Sequence, residues 1–281
     1  MQLYRPKNKQ EGEYVSFVQF ILIAILQGLL EWLPISSEGQ ITLVMLHVFN
    51  ITELSTILSL IIWLHLGTAG SALLKYRSEY FNVIFSKTAE FNYLRRFLII
   101  ATLATGVTAI PLYLLLNELF NPIYGDIISA LIGVFLIVTG IVLYFFRNIR
   151  EYRPATDLTL QEIILLGLIQ GCSILPGISR SGTTVATLLG RKIEQENCLK
   201  YSFLMSVPVI LGAFIFDLLI SGVPKVAGIS IYVLIIMIGV AFAFGLLSMD
   251  VLLAVAKKVN FAYFCVIIGL IAVILGLLPL I

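Results

Sequence analysis

Charge is what this chain has least of. Asp, Glu, Lys and Arg make up 12% of its 281 residues, about half of what a soluble domain carries. So few charges exclude a surface solvated mainly by water. Cysteine is scarce too, and Cys172, Cys198 and Cys265 are odd in number, far apart and in or beside apolar segments. No CxxC pair is present, which argues against zinc or redox chemistry and leaves them as small buried hydrophobes. A net charge of +2 says little by itself, and no nucleic-acid partner is expected. The polar tail from Met1 to Glu13 leads into an apolar stretch without a small-residue cleavage site, so it does not read as a signal peptide.

Apolar residues fill the rest. They reach 59% of the chain, and mean hydropathy is +1.03. Several apolar runs approach the roughly 20 residues needed to cross a ~30 Å hydrocarbon core. The expected class is an all-α polytopic membrane protein, with residues 1–281 forming one integral membrane domain.

Two stretches break the apolar pattern in the same way. Q-G-L-L-E-W-L-P-I-S-S-E-G runs from Gln27 to Gly39, and Q-G-C-S-I-L-P-G-I-S-R-S-G from Gln170 to Gly182. An unpaired charge at bilayer depth costs at least about 2.5–3.5 kcal/mol on insertion scales, so such residues persist mainly where they face a polar cavity. The apolar segments that follow also correspond, which divides the chain into repeats of about 14–146 and 160–281. Each repeat is a polar-broken hairpin followed by three long apolar helices. Pro and Gly interrupt each hairpin and each arm is shorter than a span, so both read as re-entrant, leaving six crossings.

Basic residues support this count. Placing Lys75, Arg77, Lys87, Arg95 and Arg96 in the cytoplasm also puts Arg147, Arg150, Arg153, Arg191, Lys192, Lys200, Lys257 and Lys258 there. Of the outside loops only 221–229 has a basic residue, Lys225. The tail, with Arg5, Lys7 and Lys9, runs against the pattern because it falls outside. Three crossings per repeat make the repeats inverted, so the hairpins enter from opposite sides and their tips meet near the midplane.

The tips carry the candidate chemistry. Arg180, in P-G-I-S-R-S-G-T-T, precedes a short apolar run. Its planar fork, the hydroxyls of Ser179, Ser181 and Thr184, Gly182 and a helix N-terminus make an anion site suited to phosphate. A structural pairing of Arg180 with Glu31 or Glu38 is the competing reading. Gln27 and Glu31 lie one helical turn apart and could share a hard cation such as Mg²⁺ or Ca²⁺, or simply hold helices together. Ser36 and Ser37 are potential nucleophiles or helix caps. Glu38 is open as a base, a metal ligand or a helix-terminal charge. Of the two histidines, His65, in L-H-L-G-T, could approach the core but reads first as a hydrogen-bonded helix residue, and His47 has no assigned role. Asp217 and Asp250 read as interfacial.

E-W-L-P-I-S-S-E-G with Gln27 upstream resembles the (E/Q)xxxE-F-x-P-x-S-S-x-G-H motif of the undecaprenyl-diphosphate phosphatase family, the bacitracin-resistance type. P-G-I-S-R-S-G-T-T is similar to that family's P-G-x-S-R-S-x-x-T. L-H-L-G-T at Leu64–Thr68 and S-F-L-M-S-V-P-V-I-L-G-A at Ser202–Ala213 also look like family segments. The resemblance implies hydrolysis of a polyprenyl diphosphate to the monophosphate and phosphate, at the outer face of the plasma membrane, with a divalent cation. That reaction recycles the lipid carrier for cell-wall or surface-glycan assembly. By motif position, Gln27 and Glu31 take the metal and acidic places and Ser37 the nucleophile's. Ser179, Arg180, Ser181 and Thr184 take the diphosphate-binding places. The partners are the lipid substrate and the membrane, with a homo-oligomer open.

Two positions depart from the motif. The family histidine is Gln40 here, and Glu38 replaces a small residue. An amide does not accept a proton at neutral pH, so Glu38 or Glu31 becomes the candidate base, while Gln40 only hydrogen-bonds near the substrate. These departures point to a divergent, archaeal-type branch. The rival class is a carrier, a polyprenyl-phosphate flippase or an anion transporter, because inverted repeats meeting at hairpins are transporter architecture.

Overall fold

The computed structural model describes residues 16–51, 54–119, 125–146, 152–223, 229–256 and 261–278. Among these residues it has eleven α-helices and no strand. In chain order they are α1 (Phe17–Leu30), α2 (Ser37–His47), α3 (Leu54–Lys75), α4 (Arg77–Phe85), α5 (Ala89–Leu119) and α6 (Gly125–Phe146). They continue with α7 (Leu160–Gly171), α8 (Arg180–Gly190), α9 (Gln195–Ile220), α10 (Ile231–Ala256) and α11 (Phe261–Leu277).

Five helices, α3, α5, α6, α9 and α10, are long and apolar enough to cross a membrane. The chain is therefore a multi-pass membrane protein. α11, over its 17 described residues, falls just short of that length, although the sequence reading gave it a crossing. It packs along α6. The tail basic residues Arg5, Lys7 and Lys9, and Arg147, Arg150, Lys225, Lys257 and Lys258 lie outside the described residues.

Both hairpins are built by the same local signals. Ser16 and Thr159 cap the first helices, and Gln19 and Glu162 reach back to complete a capping box in each. The two helices then run only 14 and 12 residues, less than a span. Pro34 and Pro176 lie in the breaks that follow, and Ser36 and Ser179 cap the return helices α2 and α8.

The hairpins are packed across the molecule. α1 lies along α10, and α7 lies along α5. The glycine after each glutamine makes this possible. A Cβ at Gly28 would fall 2.8 Å from Ala241 O, and one at Gly171 2.6 Å from Thr105 O. Only a residue without a Cβ lets these backbones touch.

Two sequence expectations change here. The stretch after Lys75 is not all loop, because α4 forms within it. Its Phe81, Ile84 and Phe85 share one exposed face, the pattern of a helix lying in an interface. Asp217 is not interfacial but wholly buried. Its carboxylate accepts from Ser59 Oγ at 2.8 Å, Trp63 Nε1 at 3.2 Å and Tyr113 Oη at 2.5 Å. Those donors come from α3 and α5, so satisfying this buried acid fastens three helices together. Asp250 is exposed, as expected, and pairs with Lys75 at 2.5 Å. The three cysteines are free, with Cys198 and Cys265 buried.

Candidate active site

The tips of the two hairpins lock together. Ser36 takes a left-handed conformation with φ of 57°, uncommon for a residue with a side chain and a mark of local strain. That turn aims its Oγ to accept both Gly39 N–H and, from the other hairpin, Gly177 N–H, each at 3.2 Å. Ser181 Oγ returns the contact by donating to Leu33 O at 3.0 Å. Residues 141 and 148 positions apart in the chain thus form one surface.

Glu31 is the hub of that surface. Its side chain is 3% exposed, so its charge needs partners within the protein. Gln27 Nε2 donates to Oε2 at 2.9 Å, Ser37 Oγ donates to Oε2 at 2.8 Å, and His65 Nε2 lies 3.1 Å from it. Arg180 reaches across from α8 to pair with Oε1, and its other nitrogen donates to Ser202 O at 3.3 Å.

His65 is the residue that sequence reasoning undervalued. Its Nδ1 faces Ile61 O at 2.7 Å, as a hydrogen-bonded helix residue should. Its Nε2 faces Glu31 and, at 3.6 Å, Glu38 Oε1. Both ring nitrogens thus meet oxygen acceptors, which a ring with two N–H groups satisfies. The signal that could have found it was L-H-L-G-T, a polar residue in the middle of a membrane-length helix.

The other expected site residues divide. Glu31, Ser36, Ser37, Glu38, Ser179, Arg180 and Ser181 line one small polar pocket together with His65. Gln40 does not; its amide donates to Ile35 O at 2.9 Å and holds the loop. Thr184 lies deeper, bonded to Arg180 O at 2.8 Å and to Ser202 Oγ at 2.6 Å. Gly182 gives its N–H to the Ser179 cap at 3.0 Å. These three shape the walls rather than face the cavity. His47, which was given no role, contacts Ser129 Oγ at 2.7 Å.

The residues present fit a hard cation in part. Gln27 Oε1 is buried without a hydrogen-bond partner, so an oxygen donor stands ready one turn from Glu31. Among the described residues no three His, Cys, Asp or Glu side chains are grouped to enclose a metal. Such a donor set suits Mg²⁺, which uses one or two carboxylates and completes its shell with water and substrate phosphate oxygens.

A bundle of apolar helices with a charged, hydroxyl-rich pocket closed between two broken hairpins defines a polytopic membrane protein with a buried polar site. The chain belongs to the Bacitracin resistance protein BacA family, whose model matches residues 20–274. It is 38% identical to the undecaprenyl-diphosphatase of Methanothrix thermoacetophila over 264 residues, covering 93% of this chain and 98% of that protein. It is 36% identical to the undecaprenyl-diphosphatase of Methanopyrus kandleri, covering 92% and 95%. To that of Sulfurisphaera tokodaii it is 34% identical, covering 95% and 99%.

Proposed function

We propose that this chain is an integral membrane phosphatase that hydrolyses undecaprenyl diphosphate, or a related polyprenyl diphosphate, to the monophosphate and phosphate. The observation that carries this reading is the hydrogen bond from Ser37 Oγ to Glu31 Oε2, set against Arg180 in one buried pocket. Binding alone needs the arginine and hydroxyls but not a serine held against a buried carboxylate.

The residues divide the work as follows. The pocket, about 10 Å³ as it stands, has room for about one water. An incoming diphosphate draws Arg180 from Glu31 to its own oxygens, since the fork fits phosphate as well as carboxylate. The Ser179 and Ser181 hydroxyls and the N-terminus of α8 receive the remaining oxygens. Released from Arg180, Glu31 accepts the Ser37 proton as Oγ attacks the terminal phosphorus. The bond from that phosphorus to the bridging oxygen breaks, and the polyprenyl monophosphate leaves with the electron pair. Water then attacks the phosphoserine phosphorus, the Oγ–P bond breaks, phosphate leaves carrying the water's hydrogens, and Glu31 returns its proton to Ser37 Oγ. His65 keeps Glu31 oriented through both steps. A divalent cation, Mg²⁺ or Ca²⁺, would be held by Glu31 and by Gln27 through Oε1, the oxygen left without a hydrogen-bond partner, with Glu38 nearby, and would supply charge neutralisation for the phosphate oxygens.

The same reading sets the protein in the plasma membrane, as two inverted repeats of about 14–146 and 160–281 with six crossings and two re-entrant hairpins. Its site opens to the outside and returns the lipid carrier for reuse. Phosphate release from a long-chain polyprenyl diphosphate by the purified chain in detergent tests the activity. Binding without release, with lipid-monophosphate transfer across vesicles instead, would favour the flippase reading.

A further inference from the structure

The second hairpin carries a buried glutamine for which the phosphatase chemistry above has no use. Gln170 is the counterpart of Gln27, standing before a glycine near the end of the first helix of its hairpin, and it is 1% exposed. Its Nε2 donates to Thr105 Oγ1 on α5 at 3.1 Å, while Thr105 gives its own proton to Ala101 O at 2.8 Å. Thr105 can therefore only accept from Gln170, which fixes the two ends of the amide. Gln170 Oε1 is left buried without a hydrogen-bond partner. Such an oxygen costs on the order of 1–3 kcal/mol, so it points to a donor that comes from outside the chain.

Gln170 lines a cavity of about 70 Å³ that adjoins the polar pocket, the two having Glu38, His65 and Arg180 in common. Ser173 stands in the same wall. Its Oγ donates to Gln170 O at 2.7 Å, so toward the cavity it too only accepts. A phosphate oxygen, itself an acceptor, fits this wall badly. A cation fits it badly as well: four residues after Gln27 comes Glu31, but four after Gln170 comes Ile174, so the adjoining carboxylate is replaced by an apolar side chain. Water donates two hydrogens, and a cavity of this size holds a few molecules of it.

We propose that Gln170 and Ser173 hold the water that hydrolyses the phosphoserine, with Gln170 as its positioning residue. The proposal rests on the phosphatase reading and on its phosphoserine step. Displacement at phosphorus needs the attacking and leaving oxygens roughly in line. Ser37 lines the pocket but not this cavity, so water waiting there approaches from the face that the polyprenyl monophosphate has just left. With its hydrogens engaged by Gln170 Oε1 and Ser173 Oγ, the water turns a lone pair to the phosphorus. The new oxygen–phosphorus bond forms, the bond to Ser37 Oγ breaks, and phosphate leaves with both hydrogens. Oγ keeps the electron pair and takes back its proton from Glu31.

The test uses the full chain in detergent with a polyprenyl diphosphate radiolabelled in its terminal phosphate. Quenching in acid during steady turnover measures both the phosphate released and the label bound covalently to protein. Gln170→Met removes the acceptor but little bulk, and leaves the groups that transfer phosphate to Ser37 in place. Phosphate release should fall by roughly tenfold to a hundredfold, the scale of misplacing one reactant, and the fraction of protein carrying label should rise several-fold. Ser173→Ala, a smaller change, should raise the label too, and it decides the matter if Gln170→Met does not fold. Thr108→Val breaks a different contact between α5 and α7, the hydrogen bond to Leu168 O at 2.8 Å, and should lower the melting temperature without raising the label. An equal rise in Thr108→Val, slower release with no rise in label, or wild-type release from both cavity variants would overturn the proposal. If the wild-type chain binds the lipid but releases no phosphate, the phosphatase reading falls and the proposal with it.

Discussion

At the scale of single residues, Glu31 gathers nearly every interaction the site has. Gln27, Ser37, His65 and Arg180 all address its two oxygens. Glu31→Gln keeps the size but turns an acceptor into a partial donor amid four donors. It should abolish phosphate release while the purified protein still elutes as a single folded species. Glu38→Gln should be the milder loss, because Glu38 touches the network only through His65. Gln40→Ala should be milder again, since its amide serves the Ile35 carbonyl and not the pocket. Ranking kcat for the three variants checks this order, and a dead Gln40→Ala beside an active Glu31→Gln would reverse the assignment. Arg180→Lys retains the charge but not the fork, and Arg180→Ala retains neither. Loss of a donor to a transferring phosphoryl group lowers the rate by roughly 10²–10³-fold. Near wild-type turnover in Arg180→Ala, measured beside its melting temperature, would make that residue a structural partner of Glu31 only.

At the scale of elements, the hairpins were legible because their signals are local. Prolines, serine caps and a repeated Gln-Gly can be read within a dozen residues, and they fix where the helices break. The glycine in that repeat yields a sharp expectation. Gly28→Val would drive a side chain into Ala241 O and Gly245 N, each 2.8 Å from its Cβ. Overpacking of this kind costs on the order of 1–3 kcal/mol, so thermal unfolding in detergent should fall clearly. Gly106→Ala meets only Ile110 Cδ1, at 3.9 Å, and should leave it unchanged or raised; equal losses in both would mean that helix contact is not what selects glycine at position 28. What sequence could not show was contact between distant segments. Asp217 looks interfacial along its own helix, and only Ser59, Trp63 and Tyr113, more than 100 positions away, make it a buried acid. His65 was underrated for the same reason, since the carboxylates it faces come from the first hairpin. α4 was missed because Arg77, Glu79 and Asn82 mask its narrow apolar face.

For the whole molecule, the ion pairs mark one end of the bundle. Lys75 meets Asp250 at the close of α3, Lys200 meets Glu79 at 3.0 Å where α9 begins, and Arg153 meets Glu162 at 2.5 Å where α7 begins. Segments that the distribution of basic residues assigns to the cytoplasm thus come together in space. The topology can be tested at two exposed positions, Lys87 between α4 and α5 and Val223 beyond α9. Between them the chain passes α5, α6, the second hairpin and α9. If that hairpin re-enters, the count is three crossings and the two positions face opposite sides. If it passes through once, the count is four and they face the same side. With the native cysteines replaced, Val223→Cys should react with a membrane-impermeant maleimide on intact cells, and Lys87→Cys only after permeabilisation. Labelling of both from one side would place α7 and α8 across the membrane as a single broken span. Arg180 and Glu31 could then no longer be delivered to one pocket by hairpins entering from opposite faces.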